Sequence, residues 1–204
     1  MVKSVKEDNR GKFVQEAFIY LARHGCISEA SCKSRGTWKC RPEHYIERNI
    51  LFYIDHYKVI KRRRMEEHIR KKTGPIVIQI PWIDEDMWGI GSNIYMGSHP
   101  SKFKKATMHA MLIIGFGYDK VEGKKICFWL IQNSFGHSGG VMGVGKFSQN
   151  CKDGNEERLI KEGFAPVKIL TPEEHEANKN RPVGPRKRQR KKRPAEILSI
   201  VGGN

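Results

Sequence analysis

The chain has 204 residues, 38% hydrophobic and 29% charged, with a mean hydropathy of −0.60; that is enough for one domain of ordinary size with a modest core and a tail. Lys and Arg number 38 against 22 Asp and Glu, a net charge of +16 that favours polyanionic or acidic partners at long range. No window approaches the ~18 apolar residues a membrane span needs, and the polar start MVKSVKEDNRGKF shows no apolar core of a secretory signal.

Residues 1–10 read as a flexible start. From Gly11, apolar residues at Phe13, Val14, Ala17, Phe18, Leu21 and Ala22 recur at helical spacing, and Gly25 stands where a C-terminal stop is expected. Five cysteines, at 26, 32, 40, 127 and 151, are odd in number and form no metal-like Cys-x-x-Cys pair. Free thiols in a reducing compartment, nuclear or cytoplasmic, are expected, with no metal and no cofactor. Residues 50–54 and 57–60, rich in β-branched and aromatic side chains, suggest strands around a break at Asp55-His56. Residues 61–72 read as a short basic helix stopped before Thr73-Gly74-Pro75, its acids early and its bases late as the helix dipole prefers. A solvated face explains those charges; a binding patch is the alternative.

The stretch 108–147 is the most informative. His109 stands against the apolar run Ala110-Met111-Leu112-Ile113-Ile114, which ends in Gly115-Phe116-Gly117. A polar hairpin candidate, with Gly123 at its turn, leads to a second apolar run at 126–131 that delivers Asn133-Ser134-Phe135-Gly136. Two strands joined by a short turn lie antiparallel, so His109 and Asn133 fall at one end of the pair. An imidazole beside a side-chain amide is the orienting half of a nucleophilic site, because the amide can fix the ring's tautomer.

HAMLIIGFG followed by FWLIQNSFG resembles the papain-like cysteine peptidases, which carry a His-Ala/Gly-Val-x-x-x-Gly-Tyr-Gly strand and then Tyr-Trp-x-x-x-Asn-Ser-Trp-Gly. By that resemblance His109 matches the catalytic histidine, general base and then acid, and Asn133 the asparagine that orients it. Gly136, Gly140 and Gly143 fall where the family's glycines fall. Gly11, Ala17, Phe18, Tyr20 and Gly25 match a helix ending near the substrate pocket, with Arg10 in place of the first glycine of a pair that lines the cleft. Arg10, Gly11 and Phe135 are therefore candidate substrate-cleft residues, and the Arg10 cation would obstruct an extended chain. Cys40 matches a disulfide cysteine whose partner would lie upstream, so it is expected reduced. Residues 74–80 resemble a family strand and 88–95 a family turn. The likeness runs from about residue 9 to about residue 147; after it, 162–167 reads as a last edge strand limited by Pro166.

The family's thiolate comes from a Gln-x-x-x-Gly-Ser-Cys-Trp segment at a helix start, which also supplies the oxyanion donors. The sequence contains no such segment. Cys26 is expected at the C-terminal end of a helix, where the negative pole raises a thiol's pKa, and Cys127 is expected as a small core residue within a strand. Phe135 and Gly139 replace the family's two tryptophans. The expected fold is α+β, a papain-like peptidase domain over 11–170 that is truncated at its N-terminus, antiparallel and β-rich with a few helices. The expected function is that of a cysteine-type peptidase homologue, inactive for want of the cysteine nucleophile. One side of such a domain exposes apolar surface, which implies a protein or peptide partner at the cleft or on the exposed β face.

Residues 171–204 are expected as a basic disordered tail in which Thr171-Pro172-Glu173-Glu174 could cap a short helix. Arg186, Lys187, Arg188, Arg190, Lys191, Lys192 and Arg193 put seven bases in eight positions, and Arg181 extends the run. This reads as a nuclear import or polyanion-binding segment. The alternative function is therefore a nuclear protein- or nucleic-acid-binding module, with no membrane partner.

Overall fold

The structure, a computed structural model, describes residues 12–26, 51–87, 90–134, 136 and 140–184. Among them seven strands form one sheet: β1 (Tyr53–Lys61), β2 (Ile76–Trp82), β3 (Ile94–Tyr95), β4 (Thr107–Val121), β5 (Lys124–Gln132), β6 (Val144–Ser148) and β7 (Glu162–Leu170). Their order is β1-β7-β2-β4-β5-β6-β3, antiparallel except for the β3–β6 pair. Four α-helices accompany them: α1 (Lys12–His24), α2 (Met65–Arg70), α3 (Asp84–Met87) and α4 (Pro172–Ala177).

Strict alternation along β2 sets the larger core. Ile76, Ile78 and Ile80 are fully buried and Trp82 nearly so, and they meet Met111 and Ile113 of β4 and Trp129 and Ile131 of β5. Consecutive strand residues face opposite ways, so Phe164, next to the buried Ala165 of that core, points to the other face. There α1 lays Val14, Phe18 and Ala22, spaced four apart, on Ile54, Tyr57 and Phe164. Phe18 stacks on Tyr57 at 5.5 Å. The helix ends as its spacing predicts: Gly25 takes φ 72° and its N–H donates to the Leu21 carbonyl at 3.1 Å.

β4 and β5 are longer than the two apolar runs suggest. Their ladder continues through the polar residues to Val121 opposite Lys124. Glu122 and Gly123, with φ of 49° and 75°, make the two-residue turn whose twist matches the strands.

Several expectations are corrected. β1 runs unbroken through Asp55 and His56, because Asp55 is satisfied sideways: its carboxylate lies 2.7 Å from His56 Nδ1 and 3.2 Å from Arg181 Nε. β7 is an interior strand, paired with β1 along its length and with β2 at Val77 opposite Phe164; Pro166 is accommodated opposite Tyr57. Cys127 is half-buried near the hairpin end, opposite Tyr118, and Cys151 is the cysteine of the core. Residues 171–184 are not a disordered start of the tail. Thr171 and Glu174 form a reciprocal capping box for α4. Arg181, 10% exposed at its side chain, donates to the carbonyls of Ala22, Ile54 and Asp55.

Candidate active site

The register of the central strands places the two polar residues singled out above. Ile80 of β2 lies opposite His109 of β4, and β5 ends with Gln132 opposite Leu112. Asn133 therefore leaves β5 at the end of the sheet where His109 sits. The two half-buried side chains meet, with His109 Nε2 2.8 Å from Asn133 Oδ1. Asn133 is anchored twice more. Its N–H donates to the Gly143 carbonyl at 2.9 Å, and Oδ1 accepts the Ser134 N–H at 2.7 Å.

These contacts settle the proton. A main-chain N–H can only donate, so the amide atom facing Ser134 is the oxygen, an acceptor. His109 Nε2 must then be the donor, which leaves the lone pair of the neutral ring on Nδ1. The loop that returns to β6 is shaped by glycine: Gly140 has φ 64°, and a Cβ there would collide with the Val144 carbonyl. Trp82 of β2 packs against the imidazole in a tilted contact, its ring centroid 5.0 Å from that of His109 at 56°. Sequence reasoning did not single out Trp82; the available signal was its place two residues past Ile80, on the same face of the strand.

The three described cysteines lie away from this pair. Cys127, opposite Tyr118, is nine strand residues from His109, on the order of 30 Å at ~3.3 Å per residue. Cys151 follows β6 and is 3% exposed; burial pushes its thiol up to about 12. Cys26 bridges Phe52 at the Leu170 end of β7, and its thiol is raised, as expected, with burial contributing. Cys32 and Cys40 lie outside the described residues. So do the cleft candidates Arg10, Gly11 and Phe135, and the basic candidates Arg186, Lys187, Arg188, Arg190, Lys191, Lys192 and Arg193. Among the described residues, no group of three or more His, Cys, Asp or Glu could hold a metal ion, and no helix is long and apolar enough to cross a membrane.

The family model described as papain family cysteine protease matches residues 2–165. Testin-2 of Mus musculus is 27% identical over 152 residues, covering 74% of this chain and 44% of that protein. Procathepsin L of Rattus norvegicus is 24% identical over 144 residues, covering 71% and 38%. The chain thus spans less than half the length of these relatives. Among solved structures, digestive procathepsin L 3 of the Tenebrio molitor larval midgut superposes with a TM-score of 0.54 at 16% identity, covering 76% of this chain and 48% of that one. Recombinant stem bromelain precursor gives 0.51 at 19%, covering 74% and 48%. At such identities these two similarities show the fold.

Proposed function

This chain belongs to the papain family of cysteine proteases, and from that premise we propose that it is a peptidase homologue that keeps the base and its orienter without a usable thiol. The observation that carries this reading is the His109–Asn133 hydrogen bond at 2.8 Å, set in a sheet whose described cysteines lie elsewhere. In a complete thiol site, Nδ1 would take the thiol proton and return it to the leaving amine, while Asn133 holds the imidazolium that forms. Here the ring is prepared for that exchange, and no described residue delivers a sulfur to it. By this reading the purified chain is expected not to hydrolyse peptides.

A partner is part of the proposal. Along β4 the residues that alternate with the buried Met111 and Ile113 face away from the core. Met108 and Ile114 of that set are 38% and 40% exposed, and Ala110 between them is exposed too. α1 covers the neighbouring part of this face over β1 and β7 and leaves the β4 part to a protein or peptide. The nucleic-acid alternative gains no support from the comparisons.

The test is the intact mass of the purified chain after exposure to an epoxide that alkylates activated thiols. No adduct is expected from a sample that melts cooperatively. A single stoichiometric adduct, lost in His109→Ala, would overturn the reading.

A further inference from the structure

Two facts about Trp82 stand apart from ordinary core packing. Its indole lies across the His109 ring, and its polar edge is tied down. Trp82 is opposite Thr107 in the β2–β4 ladder, and His109 is opposite Ile80. The two rings are therefore diagonal neighbours on one face, a spacing only large side chains bridge. They do so at 5.0 Å and 56°, a tilted aromatic contact. The indole Nε1–H donates to Asp84 Oδ1 at 2.5 Å, from the first residue of α3. Trp82 is 5% exposed. With Met111, Ile131 and Asn133 it lines a cavity of about 10 Å³, at the lower limit of what one water needs.

We propose that Trp82, fixed by Asp84, is the positioning residue of His109: it shields the His109–Asn133 hydrogen bond from water and holds the imidazole in the plane that bond requires. A hydrogen bond kept dry is stronger and less often exchanged for one to solvent. Asp84 acts at one remove, by anchoring the polar edge of an indole whose body is packed in the core. This inference rests on the reading of His109 and Asn133 as a working pair.

The test uses the full chain, with nitrogen-detected NMR of the imidazole and the exchange rate of the His109 Nε2–H. In wild type a single Nε2–H tautomer is expected. In Trp82→Ala, exchange rises by on the order of tenfold, as loss of one shielded hydrogen bond allows, and the tautomers mix. Trp82→Phe, which keeps a ring but has no N–H for Asp84, restores part of the wild-type behaviour, and Asp84→Ala, which removes the acceptor, falls between wild type and Trp82→Ala. Asp84 is exposed, so Asp84→Ala leaves no cavity and keeps the test alive if Trp82→Ala fails to fold. Trp82→Ala and Asp84→Ala with unchanged tautomer and exchange would overturn the role of Trp82 and leave the pair intact. Mixed tautomers already in wild type would instead overturn the pair itself.

Discussion

Replacing Arg181 with Ala tests whether one side chain ties the C-terminal segment to the sheet. Its guanidinium donates to the carbonyls of Ala22 at 3.1 Å, Ile54 at 2.8 Å and Asp55 at 2.9 Å. It also lies 3.2 Å from Asp55 Oδ1, with side-chain exposures of 10% and 22%. Truncation strips donors from these three carbonyls and from the exposed Asn178 carbonyl, which water can serve, and takes the guanidinium from Asp55, which keeps His56 Nδ1 at 2.7 Å. Each orphaned acceptor costs ~1 kcal/mol, and water reaching Asp55 offsets part of the charge penalty. The total is about 3 kcal/mol, the low end for breaking a buried pair. At ~2–4 °C per kcal/mol for a domain of this size, Tm falls by about 6–12 °C. Arg181→Lys keeps the charge but not the planar fork and recovers about a third of the loss. Urea unfolding followed by circular dichroism measures both variants. A loss under ~0.5 kcal/mol for the Ala variant, the size of an ordinary surface change, would refute the reasoning; full recovery by Lys would show that charge alone matters.

Two further outcomes are expected. Gly163→Ala places a Cβ against the fully buried Ile76 and 2.8 Å from the Val77 carbonyl; main chain cannot yield, so a loss of about 3 kcal/mol is expected in the same urea assay, and a neutral result would mean that β7 and β2 separate easily. His68 is 7% exposed, and burial first, then Lys58, depress its pKa below the ordinary value of 6.5. The unfolded chain thus takes up this proton before the folded one, so stability is full above about pH 6.5 and declines as pH falls. His175, depressed by burial and Arg181, acts with the same sign. The urea midpoint should drop between about pH 7.5 and 5.5, and drop less in His68→Asn; equal drops in both proteins would remove His68 from the account.

The meeting of His109 and Asn133 was legible because it depends on local rules: two apolar runs, one short turn and antiparallel pairing. α1 was legible for the same reason, with its apolar spacing and Gly25 at its end. What escaped depends on distant partners. Arg181 looks like the first of a run of solvated bases, and only the fold reveals that Ala22 and Ile54 wait for it. Asp55 and His56 look like a strand break because two polar residues in a row interrupt the apolar pattern. Arg181 removes the need for a break. β7 reads as an edge because Pro166 lacks an N–H, yet the strand order inserts it between β1 and β2. Trp82 carries no motif; its contact with His109 follows from a register no single strand announces. Cys127 sits in an apolar run and still reaches the half-exposed hairpin end, since burial depends on position along the strand as well as on neighbours.

The pairing of β1 with β7 also sets a timetable. Lys61 and Glu162, partners at one end of that ladder, are 101 residues apart in the chain. A ribosome adding about 5–20 residues per second takes about 5–20 s to cover that interval. Throughout it β1 has no neighbour to complete, and Phe164, which α1 shares with Ile54 and Tyr57, has not yet been made. Val14, Phe18 and Ala22 can collapse onto β1 alone during that time, a partial docking that leaves the edge of β1 open to any passing strand. Such non-local closure is slow by its nature. The first third of this domain is therefore the part that most needs chaperone cover during synthesis.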